Sequence, residues 1–214
     1  MEEHVRIDHL VYAVADLEAG VEEFEERFGV RAAGGGQHVG MGTHNRLLAL
    51  GPHTYLELIA PDPAQPEPAL PRPFGVDGMA GPGLVGWALG TDDIDGARQR
   101  AAANGFDPGP VIDGQRRTPE GAVLRWRLTT NALQGGVIPF LISWGTTPSP
   151  AATAPQGLEL QHFHVEHPDD VTAQLRALGA GVETGKGPEP ALTARISGPT
   201  GTHTLSTWST PEPR

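Results

Sequence analysis

Between Val5 and Gly29 the apolar residues first alternate with their neighbours and then change period. Ile7, His9, Val11 and Ala13 share one face of an extended segment, and Leu10, Tyr12 and Val14 share the other. After Asp16, a side chain suited to capping a helix, Leu17, Val21, Phe24 and Phe28 recur at helical spacing, and Gly29 stands where a left-handed stop is wanted. The pattern predicts a strand, a tight turn and an amphipathic helix over 16–28. One histidine, His9, lies on the strand face that the helix does not cover.

This grammar recurs twice. Leu84 to Thr91 is apolar, Asp92 or Asp93 can cap a helix over 93–104 carrying Ile94, Ala97 and Ala101, and Gly105 ends it. In the third copy Leu160, His162 and His164 share one strand face, Phe163 and Val165 the other. Asp169 then opens a helix over 169–178, and Gly179 stops it. Alignment of the three copies superposes His9, Gly86 and His162, then Asp16, Asp93 and Asp169, a recurrence that a single accidental strand-helix pair does not explain.

Between these units the pattern is β-rich. Arg46 to Leu50 and Thr54 to Ile59 read as strands joined at Gly51 and Pro52. Tyr55, Glu57 and Ile59 share a face, so Glu57 is a carboxylate between apolar neighbours and needs a partner. The glycines at 34–36, 40 and 42 predict a loop, with His38, Thr43, His44 and Asn45 at a cavity mouth. In the second unit Arg125 and Arg127 alternate with Leu124, Trp126 and Leu128, after a turn at Pro119 to Gly121; Phe140, Ile142 and Trp144 share a later strand face. Trp87, Trp126 and Trp144 read as core, and Arg116, Arg117, Arg125 and Arg127 as a solvated face or an anion clamp. The third unit closes with strands at 192–197 and 203–208. The resulting fold class is α+β: βαβββ modules over 1–60, 84–145 and 158–208, separated by linkers at 61–83 and 146–157. Proline is dense in the first linker, which reads as an extended surface strap.

Composition narrows the chemistry. The 214 residues carry 15 basic and 26 acidic side chains, a formal charge of -11, which disfavours a nucleic-acid partner. Cysteine is absent, removing disulfides, thiolate metal sites and a cysteine nucleophile. No signal-peptide pattern or membrane-length apolar run occurs, so a soluble cytoplasmic protein without a membrane partner is expected. Neither a nucleophile elbow nor a dinucleotide fingerprint is present.

A βαβββ repeat opening on IDHLVYAV and closing its first copy on YLELIAP resembles the vicinal oxygen chelate superfamily of glyoxalases, dioxygenases, epimerases and bleomycin-resistance-type proteins. The stretches GGQHVGMGTHN, RRTPEG and PFLISW are similar to its glyoxalase-like members. The resemblance implies paired modules curled into a half-open barrel with helices outside. It further implies a divalent ion (zinc, iron, manganese or nickel) held by the first and last strands of each module. His9 and Glu57 match two such positions, whereas Gly86, Phe140 and Ile142 leave the second module without ligands. Three outcomes remain open: His162 is the third ligand because modules one and three pair, the ion has two protein ligands, or no metal binds. The expected function is a metal-dependent lyase, isomerase or epimerase acting on a small oxygen-rich substrate, with His38, Thr43, His44, Asn45 and Arg116 as substrate contacts. The alternative is a metal-free protein that sequesters a small molecule. A third module left without a partner within the chain could pair between subunits as a homodimer.

Overall fold

A computed structural model describes residues 5–118 and 121–207. The first two modules have the same wiring. Strand β1 (Arg6–Ala13), helix α1 (Leu17–Phe28) and strands β2 (Ala33–His38), β3 (Thr43–Ala49) and β4 (Tyr55–Pro61) are followed by β5 (Gly83–Gly90), α2 (Ile94–Ala103), β6 (Val111–Arg117), β7 (Val123–Thr129) and β8 (Phe140–Ser143). In each module the first strand runs parallel to the last, β1 beside β4 and β5 beside β8. The eight strands close in the order β1-β4-β3-β2-β6-β7-β8-β5, so modules one and two pair with each other. The expected half-open sheet is a closed barrel, joined on one side by the long β1–β5 ladder and on the other by a single register pair, Gln37 with Arg117.

Local chemistry explains the helix ends. Asp16 accepts from the Ala19 N–H at 3.0 Å and Asp93 from the Gly96 N–H at 3.0 Å, each relieving an orphan donor of the first turn. Gly29, at φ 75°, ends α1 in the left-handed conformation. Leu10, Tyr12, Leu56 and Leu58 turn outward under α1, where Val21, Phe24 and Phe28 cover them.

The glycine stretch at 34–36 departs from expectation, being a strand rather than a loop. A Cβ on Gly36, at φ 151°, would lie 1.9 Å from the Arg117 carbonyl oxygen, and one on Gly35 would lie 2.1 Å from that of Asn45. Only backbone fits where β2 squeezes between β3 and β6. The proline linker is more than a surface strap. Its 3-10 turn, Pro73–Gly78, packs into one end of the barrel, where Val76 joins Val11, Ala13 and Ile59 in a small apolar plug.

The third unit also differs. Strands β9 (Glu159–His167), β10 (Glu183–Lys186), β11 (Ala191–Gly198) and β12 (Gly201–Ser206), with helix α3 (Thr172–Ala177), form a separate sheet ordered β10-β9-β11-β12. Its first strand lies between the second and third rather than beside the fourth, so it shares element order with the other modules but not their wiring. Asp169 does not cap α3; the Asp170 carboxylate accepts the Thr172 N–H at 2.9 Å instead. Phe163 and Val165 face the common core, where Phe163 meets Trp87 edge to face at 4.9 Å. The expected turn at Pro119 to Gly121 and the end of the last strand at Trp208 fall partly outside the described residues. Among the described residues, no helix is long and apolar enough to cross a membrane.

Candidate functional site

The inward face of the barrel surrounds a cavity of about 60 Å³ whose walls have opposite character. Module one supplies polar groups: His9 from β1, His38 from β2, Asn45 from β3 and Tyr55 and Glu57 from β4, with Arg116 reaching in from β6. Module two and the linker supply apolar ones, among them Phe74, Trp126, Leu128, Phe140 and Ile142. Strand alternation puts Thr43, Asn45 and Leu47 inside the barrel and leaves His44 outside.

His9 is held on three sides. Its Nδ1–H donates to the Asp8 carboxylate at 2.7 Å, its ring stacks on Tyr55 at 4.7 Å, and Phe140 meets its edge at 5.4 Å. Asp8 also accepts from the Trp144 indole N–H at 3.1 Å. This placement follows from a bulge. Ile7 pairs with Leu89 and His9 with Ala88, so Asp8 is the extra residue of β1. The bulge sets Asp8 directly beside His9 and swings Ile7, which simple alternation places on the face of His9, out against the helix-side core. With Nδ1 committed, Nε2 faces Glu57 Oε2 at 3.7 Å.

Asn45 organises the other half of the cluster. Its amide nitrogen donates to Glu57 Oε1 at 2.7 Å and to His38 Nε2 at 3.2 Å. Its oxygen accepts from the Gly36 N–H at 2.9 Å and from Arg116 at 3.2 Å. His38 is thereby fixed as the tautomer whose Nδ1–H donates to the Thr43 hydroxyl, 2.9 Å away. Burial holds the His38 pKa below the usual histidine value, keeping the ring neutral. Burial, assisted by the Asp8 and Glu57 carboxylates, pushes the Tyr55 phenol well above its ordinary value, so it remains a donor.

Arg116 is 5% exposed, and burial lowers its pKa although Tyr55 and Glu57 oppose the shift. Its one described hydrogen bond goes to the neutral Asn45 amide, and no carboxylate among the described residues lies within salt-bridge distance. A buried guanidinium is ordinarily paired, so this one presents charge to the cavity. Trp126 and Trp144, expected as core, are only half-buried, with Trp126 on the cavity wall and the two rings 5.4 Å apart.

Two expected contacts lie elsewhere. His162 stands on the face of β9 opposite Phe163, where its Nε2 pairs with Glu183 at 2.7 Å. It cannot reach the barrel interior, because the alternation that buries Phe163 and Val165 turns His162 and His164 to the opposite side. His44 sits outside the barrel near Asp62, with a pKa lowered by partial burial. Thr43 is buried but serves His38 rather than the cavity wall. Gly86, which repeats the position of His9, leaves room for the linker's Phe74: a Cβ there would lie 3.2 Å from that ring. Asp8 was missed, although an acidic residue directly before an inward histidine is a readable signal.

The donor set does not fit a metal centre with three protein ligands. His9 Nε2 and Glu57 Oε2 are close enough to share one ion, since bonds near 2 Å each span their separation. His38 Nε2, the next nitrogen, already accepts from Asn45, and module two offers Ala88, Phe140 and Ile142. Among the described residues no group of three or more His, Asp or Glu side chains is arranged to hold an ion.

The model for a glyoxalase-like domain family matches residues 7–179. No curated protein matches the chain. Among solved structures, a hypothetical protein from Staphylococcus aureus is similar at 15% identity over 96% of this chain and 89% of its own, with a TM-score of 0.61. Methylmalonyl-CoA epimerase from Mycobacterium tuberculosis is 21% identical over 68% of this chain and 91% of its own, with a TM-score of 0.42. A variant of the Streptomyces coelicolor epimerase, in complex with 2-nitronate-propionyl-CoA, is 22% identical over 64% and 96%, with a TM-score of 0.43. Likeness at these identities bears on fold alone. The family match runs from the bulged strand that carries His9 through both barrel modules and into the third unit. The chain therefore belongs to the glyoxalase-like domain family.

Proposed function

We propose that the barrel binds a small hydroxy- or oxo-carboxylate and moves a proton at the carbon next to its carbonyl, a step of the isomerase or lyase type. One observation carries this reading. Two acceptors, His9 Nε2 and Glu57 Oε2, face each other at 3.7 Å in a cavity with one apolar wall that also holds a buried guanidinium, Arg116, with no carboxylate partner among the described residues. Such a site complements a ligand that offers a transferable proton to the first pair and an anionic oxygen to the second.

The chemistry follows from what each residue can hold. Asp8 fixes the His9 ring with Nδ1–H toward itself, leaving the Nε2 lone pair free as a base. As His9 removes a proton from carbon, the C–H electron pair moves onto the adjacent carbonyl oxygen. Arg116 and the Tyr55 phenol are the donors available to that developing oxyanion, and they act in a cavity small enough to exclude most water. Glu57, held by Asn45, keeps the proton within the pair by accepting it from His9 Nε2. Return of the proton to the opposite face of the same carbon, or to a carbon conjugated with it, gives the isomer.

The test is proton NMR in D₂O with 2-oxobutanoate, 2-oxoisovalerate and phenylpyruvate. The expected result is protein-dependent loss of the proton signal beside the carbonyl for at least one acid. Binding without exchange favours a sequestering protein of the same fold, and absence of both binding and exchange contradicts the reading.

A further inference from the structure

The cavity is too small for the whole of an ordinary ligand. At about 60 Å³ it has room for roughly four to six water-sized groups, at 10–15 Å³ each, whereas ligand pockets commonly run to roughly 300–1,000 Å³. Beside it runs an open groove of about 710 Å³. The two share Met41 and Trp126, and Trp144, whose ring packs on Trp126 at 5.4 Å, also lines the groove.

The groove arises where β7 and β8 separate. These strands pair only at Arg127 with Ser143 and Leu128 with Ile142, so the β7 segment before Arg127 leaves β8 and opens the barrel wall. Trp126 can lie flat over β6 because its cross-strand partner there is Gly114, where a Cβ would come 2.2 Å from the indole nitrogen. Two of the four large apolar side chains exposed among the described residues stand at this opening, Val39 on the groove at 55% exposed and Leu133 on the cavity at 41%.

Resting on the small-carboxylate reading above, we propose that the ligand has two parts. A compact oxygen-bearing head enters the cavity, and a longer apolar or planar stem continues past Trp126 into the groove, lying along the outer faces of the packed Trp126–Trp144 pair. The substrate class is then a 2-oxo or 2-hydroxy acid with an extended chain or ring system, rather than a free acid of three or four carbons. Gln115, Arg125 and Thr147 along the groove suit a polar end to the stem.

Equilibrium binding by tryptophan fluorescence, with the full chain and the 2-oxo acids of four, eight and twelve carbons, tests the idea. Affinity is expected to rise by about twofold for each methylene laid against the indoles, about half the full burial value. Val39→Asp and, independently, Thr146→Trp change the groove without touching the cavity. Each should weaken the twelve-carbon acid by about tenfold and leave the four-carbon acid unchanged. Arg116→Met should weaken all three alike. If the short acid binds and lengthening adds nothing, the groove assignment is overturned while the cavity reading stands. If no acid binds, both fall.

Discussion

Asn45 is the most informative single substitution in the cavity, because four polar groups depend on it. In Asn45→Leu, which keeps the branched outline but is larger and apolar, the Gly36 N–H, Glu57 Oε1 and His38 Nε2 each lose a partner, while Arg116 can turn toward the cavity. An unsatisfied buried group costs about 1–3 kcal/mol, and cavity water can resolvate part of the Glu57 carboxylate, so a loss of about 3–5 kcal/mol is expected. For a chain of this size that lowers the unfolding midpoint by roughly 10 °C, read by circular dichroism, with a matching fall in the urea midpoint. Asn45→Asp supplies the control. It keeps the acceptor for Gly36 and Arg116 but sets a second carboxylate 2.7 Å from Glu57 Oε1. Two carboxylates so close cannot both ionise, so the folded state retains a proton that the unfolded chain releases near pH 4. The folded pKa is raised. Stability is therefore full below about pH 4 and lost as pH climbs through the folded value. A cost under about 1 kcal/mol for Asn45→Leu, or a pH-independent cost for Asn45→Asp, would refute the network as drawn.

Three further outcomes follow from other parts of the fold. Gly36→Ala puts a methyl into the Arg117 carbonyl at the single pair that closes the barrel, so it should cost about 2–4 kcal/mol and increase proteolysis near 34–38. His38 has a folded pKa below its unfolded value, so above about pH 6.5 its contribution is complete. As pH falls below that value the unfolded chain takes up a proton first, and stability declines by at most about 1.4 kcal/mol per pH unit, a slope that His38→Phe should reduce in thermal scans. Because among the described residues only His9 and Glu57 present free donors to one point, dialysis against a chelator should leave the unfolding temperature unchanged, whereas a drop of several degrees would reveal a bound ion.

The sequence made the strand-helix grammar legible because its signals are local. An aspartate cap, a helical stripe and a glycine stop act within one turn, and Asp16, Asp93 and Gly29 behave as they read. The inward placement of His9 and Glu57 was legible for a related reason, since strand alternation needs no knowledge of the partner strand. What stayed hidden depends on distant contacts. Glycines at 34–36 carry the composition of a loop, yet the carbonyls of Asn45 and Arg117 exclude a side chain at 35 and 36. His38 thus comes into the cavity on a strand that composition disguises. The bulge at Asp8 is set by the Leu89–Ala88 step across the ladder, so a simple period of two misplaces Ile7. Phe74, at φ 62°, adopts a backbone conformation uncommon for an aromatic residue and takes the space that Gly86 leaves, a long-range fit without a sequence signature. The third unit misled through its histidines: their spacing resembles the first strand, but the buried face belongs to Phe163 and Val165.

The identity of the proton-moving group can be measured directly. Rates of deuterium incorporation into the best-bound 2-oxo acid should be compared for the wild type, Asp8→Asn, His9→Gln and Glu57→Gln, with binding measured in parallel. His9→Gln should lose about 10²–10⁴-fold in rate, with binding held by Arg116. Asp8→Asn, which misorients the ring without removing it, should lose less and shift the pH profile. Wild-type exchange in His9→Gln would contradict the assignment of His9 as the base.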